Sequence, residues 1–583
     1  MNFSVFSDYL SRLESTGSRN SMVEILSGLF SEVSLDEIDK IIYLTQGRVA
    51  PMYEKIEFGV AEKTAIKAIA RACEVSESEV LEKFKKTGDL GEASQNLTRP
   101  RPDEVGKSKS QKLNSKVKIT DVFRVLLEIA KSSGEGAVEK KIAILADLIK
   151  NSDSLSAKYV IRIVLDKLRL GFADQTVLEG LSWTIDGTKS HKDDLEKIYN
   201  VRPDLGFLAK KFKEYKSLKV APLFGTPVLP MRAERLTSAE EILEKTGGEC
   251  AVEEKLDGLR TQLHFRKSQI KLFSRGLEDV TAMYPDLVEA AKNELSCESV
   301  ILDGEAIGFD PKTGKYLPFQ ETVTRKRKYD VDLFSQSVPM RLVVFDVLSL
   351  NGESLINKQY QQRRQDLEKL LGKQDKIVLE KMVVVKDPKS LDTFFKASLA
   401  AGLEGIMAKK LDGVYQAGAR GWNWIKYKKS YDESKLVDTV DAVVMGLYTG
   451  EGKRTDFGVG AFLVGVYDAK SDNFKTVSKI GTGLTDEEWR NLKDKSQPVR
   501  DRTRSGKSKV KSKPQNYEVP KSLECDEWLN PELVGEFKAD LVTKSPLHSS
   551  GFALRFPRLV RWREKKATDT TSIIELERLA KLS

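Results

Sequence analysis

Residues 253–260 read Glu253-Glu254-Lys255-Leu256-Asp257-Gly258-Leu259-Arg260, and this octapeptide decides how the middle of the chain is read. A lysine amine is a nucleophile only once it is deprotonated. An ordinary lysine ammonium titrates at about 10.4, so reaction near neutral pH needs desolvation or cationic neighbours. Arg260 can supply a neighbouring charge and hold a phosphate, and Gly258 would let the backbone approach a ligand closely. Taken alone, the octapeptide reads equally as a strand end, a turn and surface charges.

Further pieces follow it in order: Ser274-Arg275-Gly276, Leu302-Asp303-Gly304-Glu305, Val344-Phe345-Asp346-Val347, Glu404-Gly405-Ile406-Met407-Ala408-Lys409 and Trp424-Ile425-Lys426-Tyr427-Lys428. Each supplies something that phosphoryl transfer needs. Arginines and lysines neutralise phosphate charge, carboxylates can hold Mg²⁺, and an aromatic ring can stack on a base.

Outward from this core the chain changes character twice. Before Ser217 it reads as helical, with apolar residues at helical spacing in Thr120–Ala130, Val138–Ile149 and Leu155–Leu168. Ser154 fits an N-cap and Gly171 a stop for the last of these. Arg99–Lys118, polar and basic, reads as a surface connection. From residue 217 to about 434, β-type runs (Val300–Leu302, Leu342–Val347, Ile377–Val385) alternate with helical patterns (Tyr284–Leu295, Lys358–Leu371), giving an α+β domain. From residue 435 to 583, the runs Asp441–Tyr448 and Ala461–Tyr467, separated by Gly450, Gly452, Gly458 and Gly460, suggest a small β-barrel closed by a helix near Ser572–Lys581.

Bulk properties agree with three soluble domains. There are 583 residues, 40% hydrophobic and 31% charged, with a net charge of +9. The positive balance suits a polyanionic partner without requiring one. Cys73, Cys250, Cys297 and Cys525 are scattered, so no zinc-type pair exists and a reduced, intracellular chain is the simplest reading. Asp8 and Glu14 interrupt what would be the apolar core of a signal peptide, and no apolar run is long enough for a membrane span. The expected location is cytoplasmic, nucleoid-associated if prokaryotic.

The ordered motif set resembles the ATP-dependent DNA ligases of the archaeal and eukaryotic replicative type, within the covalent nucleotidyltransferases. The resemblance covers nearly the whole chain. It implies a multidomain fold: an all-α DNA-binding domain (1–216), an α+β nucleotidyltransferase domain (217–434) and a β-barrel OB-fold domain (435–583). It implies ATP and Mg²⁺ as cofactors and AMP covalently bound to Lys255. Glu253 matches a residue near the adenine and ribose, and Arg260 and Arg275 match phosphate and ribose contacts. Glu305 matches a ribose carboxylate that also serves metal binding, Glu404 a second metal carboxylate, and Phe345 the ring that stacks on adenine. Arg420, Lys426 and Lys428 match the α-phosphate and pyrophosphate contacts. A last motif spans Arg555–Lys566, where Lys565 stands in a place the family commonly gives to an acidic residue. Leu168-Arg169-Leu170-Gly171-Phe172-Ala173-Asp174-Gln175-Thr176 resembles the helical domain's DNA-contacting segment, which points to Arg169, Gly171 and Thr176. The implied partners are nicked double-stranded DNA and a sliding clamp, with no membrane, and the expected state is a monomer. RNA ligases and capping guanylyltransferases share the lysine but not the long helical module, and NAD-dependent ligases carry a four-cysteine zinc site that the scattered cysteines do not form.

Overall fold

Apolar residues recurring every three or four positions fold the described residues before 216 into twelve helices, from Phe3–Glu14 to Leu205–Tyr215. Their inward stripes meet in one core, where Phe6, Leu26, Ile41, Ile69, Leu126, Ile161 and Leu178 are fully buried. The computed structural model describes the chain except for residues 99–116, 169, 216–219, 268, 323–337, 373, 429–438, 450–458, 482, 483, 485–487, 490, 491, 493–499, 502–508, 511, 512, 540 and 583. The described residues fall into two compact units, Met1–Lys428 and Lys429–Ser583.

Two helical expectations shift. The run expected over 155–168 is helical only over Ser154–Val164. Its N-cap is Asp153, whose side chain accepts from Ser156 N at 2.9 Å, in place of Ser154. The chain turns at Asp166, which takes a left-handed φ of 55°. Gly171 is therefore not the stop, and lies instead with φ 74° in the turn before the helix Asp174–Asp186.

Among the described residues, the remainder of the first unit carries eleven strands: β1 (Arg232–Arg235), β2 (Cys250–Glu254), β3 (Leu259–Arg266), β4 (Gln269–Ser274), β5 (Ser299–Gly308), β6 (Met340–Leu350), β7 (Glu353–Ser354), β8 (Ile377–Leu379), β9 (Met382–Val385), β10 (Gly405–Lys409) and β11 (Arg420–Lys428). They form two sheets. One has the order β1-β11-β10-β2-β9, and the other β4-β3-β5-β6-β7 with β8 beside β6. The single run expected over 377–385 is thus two strands in different sheets. The crossing falls at Glu380, which is buried and donates its N–H to Val344 O at 2.9 Å. A period-two pattern reports burial, not the partner strand, so the switch is invisible in sequence.

Each sheet gives one face to helices. Val252, Ile406, Ala408 and Ile425 pack against Ile242, Leu243, Leu391 and Phe395 of the helices Ala239–Thr246 and Pro388–Ala400. Leu263, Leu302, Leu342 and Val344 pack against Leu287, Ala291 and Leu367 of the helices Pro285–Glu294 and Tyr360–Leu370. Strand side chains alternate, so the remaining faces carry the other half of each strand and turn toward one another. Ile301, Leu348, Trp424, Phe345 and Met407 from the two sheets meet there, with Met231 and Tyr415 from the adjoining loops.

The second unit is built on antiparallel strands β12 (Val440–Tyr448), β13 (Ala461–Asp468) and β14 (Asn473–Ile480). Val534–Lys538 extends the sheet beside β12 and Arg558–Arg563 lies beside it in turn, while Tyr517–Glu518 runs parallel to β14. Phe462, Val464, Val477 and Phe537 are fully buried against Leu576 of the terminal helix Ile573–Leu582. Of the glycines expected to separate these strands, Gly450, Gly452 and Gly458 lie outside the described residues.

Candidate active site

Lys255 leaves β2 at the edge of the cleft between the two sheets. Its backbone N–H donates to Gly405 O at 3.0 Å, and Gly405 lies opposite Lys428 in the β10–β11 register. The two lysines thus flank the start of β10, and the residue just before it, Glu404, takes both. Its Oε2 is 2.8 Å from Lys255 Nζ and 2.7 Å from Lys428 Nζ. Burial pushes the Glu404 carboxyl up, but the two ammonium groups outweigh it and hold it below its ordinary range. The tight approach at this corner requires a glycine. Gly405 has φ +146°, and a Cβ there would lie 2.1 Å from Tyr427 O.

The cleft gathers cations. The Lys426 ammonium is pulled down by burial, and is further repelled by Lys428, Arg420, Lys255 and Arg275. Five basic side chains from β2, β4's end and β11 therefore act on one region, while Arg275 and Arg420 remain exposed. That is an arrangement for a polyanion such as a polyphosphate.

The facing sheet contributes the carboxylate Glu305, directly across the β3–β5 ladder from Arg260. Burial pushes Glu305 up to about 7, against the pull of Lys255 and Arg260. Arg260 is held by neighbouring groups of the cleft wall. It donates to Asp303 through Nε at 3.2 Å and Nη2 at 2.7 Å, and to Met231 O through Nη1 at 2.7 Å. Tyr415 completes the same knot, donating to Asp303 at 2.8 Å. Gly258 likewise serves packing: a Cβ there would sit 2.7 Å from Ala306 O and 2.9 Å from Glu305 Cγ. The close approach it permits is to β5.

At the other end of the cleft the lining is aromatic. Phe345 meets Trp424 edge-on at 5.8 Å, and Trp424 meets Tyr415 at 5.7 Å. Glu253 lies buried beneath them, with Lys409 Nζ 2.7 Å from its carboxylate and the Tyr360 hydroxyl donating to it.

Sequence comparison matches residues 230–428 to the ATP dependent DNA ligase domain, 2–182 to the DNA ligase N terminus and 455–566 to the ATP dependent DNA ligase C terminal region. A probable DNA ligase of Dictyoglomus turgidum is 43% identical, covering 99% of this chain and 97% of its own length. The chain belongs to the ATP-dependent DNA ligase family. A DNA ligase of Pyrobaculum islandicum is 40% identical over 99% of this chain and 98% of its own. Among solved structures, one described as Pmar-Lig_PreS3 covers 96% of this ligase and 99% of itself, with a TM-score of 0.54 and 18% identity, a likeness of fold. Nick sealing is the family's known function.

In this ligase the fold brings together Lys255, Glu253, Glu305, Phe345, Glu404, Lys426 and Lys428, taken from five motifs across two sheets. The DNA-contact expectations fare differently. Arg169 lies outside the described residues. Gly171 is exposed, whereas Thr176 is only 5% exposed and does not present its side chain at a surface. In the last motif, Lys565 pairs with Asp441 at 2.8 Å and Arg561 with Glu536 at 2.6 Å. Lys565 thus has a carboxylate partner within its own unit. The basic stretch Arg502–Lys513 lies mostly outside the described residues. Sequence reading gave no role to Lys409, Asp303, Tyr415 or Tyr360. The available signal was a charged residue closing an apolar strand, as at Lys409. Among the described residues no helix is long and apolar enough to cross a membrane, and no cluster of three or more His, Cys, Asp or Glu could hold a metal.

Proposed function

We propose that the chain seals nicks in duplex DNA by way of AMP carried on Lys255. The observation that carries this reading is one amine held by Glu404 at 2.8 Å at the cationic end of a cleft whose other end is aromatic. Lys255 Nζ attacks the α-phosphorus of ATP; a phosphorus–nitrogen bond forms as the bond to pyrophosphate breaks. AMP then passes to the 5′-phosphate at the nick, and the 3′-hydroxyl displaces it. Each step is an in-line phosphoryl transfer, so the protein's contribution is positioning and charge neutralisation. Glu404 orients the amine; Lys426, Lys428, Arg420 and Arg275 meet the phosphates; Phe345 stacks on the base, with Glu253 behind it. Arg260 acts through Asp303 and Tyr415, keeping β3 and the cleft wall in place.

Mg²⁺ is ordinarily held by one or two carboxylates together with substrate phosphates. Glu305 and Glu404 fit that pattern: both face Lys255, and the burial that raises Glu305 favours a cation beside it. Bound there, the ion would supply charge neutralisation at the phosphates. We read the domains as 1–216, 217–434 and 435–583, the last as an OB-fold supported by its antiparallel β12–β13–β14 meander and terminal helix. The motif Arg555–Lys566 would assist only the first step; the hinge expected near Ser434 lies outside the described residues. Gly171 marks the surface at which the helical domain would meet phosphates. DNA replication, repair and recombination in the cytoplasm or nucleoid, and contact with a sliding clamp, belong to the same reading.

The Lys255→Ala variant tests it. It should gain no adenylate mass with ATP and a divalent metal, yet seal nicks that already carry 5′-AMP. Sealing of an ordinary nick by this variant with ATP would refute the assignment.

A further inference from the structure

Strand β6 does not pair evenly with β5. Asp346 lies opposite Asp303 and Val344 opposite Gly304, so Phe345 is the extra residue of a bulge with no partner on β5. A bulge of this kind leaves a residue out of the ladder and re-aims its side chain. The Val344 carbonyl finds the Glu380 N–H. The Phe345 carbonyl finds a side chain from the opposite sheet: Lys409 Nζ donates to it at 2.8 Å.

Lys409 is an unusual residue to place there. Its side chain is 1% exposed, and a buried ammonium is costly unless paired. Glu253 supplies the pairing at 2.7 Å and is itself 3% exposed. The remaining surroundings are rings: Nζ lies 4.9 Å from the centroid of Phe345, 4.9 Å from Tyr360 and 4.6 Å from Trp424. One ammonium therefore ties β2 to β6 across the cleft and touches two of the three rings at its aromatic end. An apolar side chain would fill the same volume but could not satisfy the bulge carbonyl.

We propose that Lys409, with Glu253 as its counter-ion, is a positioning residue that fixes the Phe345 ring for base stacking by capping the carbonyl that the β6 bulge leaves outside the ladder. The inference rests on the reading of this cleft as an ATP site. It gives Glu253 a second duty, as the charge that makes a buried lysine tolerable, in addition to lying near the base.

The test is a double-mutant cycle on the full chain. Lys409→Met alone strands the Glu253 carboxylate and can fail to fold, so the deciding variant is Glu253→Gln/Lys409→Met, which leaves neither member charged. Self-adenylation is followed against ATP concentration for the wild type, Phe345→Ala, the pair variant and the triple variant, with thermal melting of each. The pair variant should raise KM for ATP roughly tenfold, the scale of a partly lost base–aromatic stack, with the maximal rate within about twofold. In the Phe345→Ala background the same pair should add less than about twofold, because its effect runs through the ring. An unchanged KM, an equal loss in both backgrounds, or a loss confined to the maximal rate would each overturn the proposal. Failure of the wild type to form any AMP adduct would instead sink the reading of the cleft itself.

Discussion

Substituting alanine for Gly258 probes the coupling between packing and chemistry with a single methyl group. The added Cβ would lie 2.7 Å from Ala306 O and 2.9 Å from Glu305 Cγ, against an ordinary contact of 3.4 Å or more. The start of β3 must therefore retreat from β5 by about 0.7 Å, and backbone cannot swing aside as a flexible side chain would. The two strands that separate are those pairing Arg260 with Glu305, and Gly258 itself is three residues from Lys255. Over-packing of this kind costs about 1–3 kcal/mol of stability. A misplacement near 1 Å at a reacting centre costs on the order of a hundredfold in rate. The Gly258→Ala variant should accordingly remain folded and lose roughly ten- to a hundredfold in the rate of AMP loading at saturating ATP. The assay is the time course of adenylate mass on the intact chain, with melting in parallel. Loading within twofold of wild type would show that the β3–β5 separation does not govern the site.

Three further outcomes are expected. Arg363 is fully buried and grips Asp346 at 2.7 Å and 2.9 Å; Arg363→Met strands that carboxylate and should cost about 3–5 kcal/mol in denaturant titration. Burial pulls the His264 imidazole down to about 3 from its ordinary 6.5. In the folded chain this imidazole then stays neutral where in the unfolded chain it takes a proton. Stability is complete above pH 6.5 and falls as pH drops from 6.5 toward 3, by up to about 1.4 kcal/mol per pH unit, and His264→Gln should flatten that slope. Affinity for a nicked duplex should fall with salt at a slope of roughly −0.9 per phosphate neutralised, weakly dependent on sequence, and a flat response would argue against extensive backbone contact.

Sequence by itself identified the order of the motifs, the helical-to-mixed transition and the family, and it singled out Lys255 as the candidate nucleophile. These rest on local signals: residue chemistry at fixed spacing, and apolar periods that report helix or strand. It could not assign the partners of the charges. Arg260 looked like a phosphate ligand, and nothing in the sequence showed that its guanidinium is also paired with Asp303. Thr176 lay in a motif expected to touch DNA, and helix packing buried it. Residues 377–385 read as one strand, and the chain changes sheets within them. Lys409 closed an apolar run without apparent purpose, and its acceptor is a carbonyl 64 residues away, exposed to it only by a bulge. Such pairings are chosen by which strands lie side by side and which faces meet. That is a property of sheet topology, because alternation along a strand fixes only which side chains turn inward, and the opposing sheet decides what they meet there.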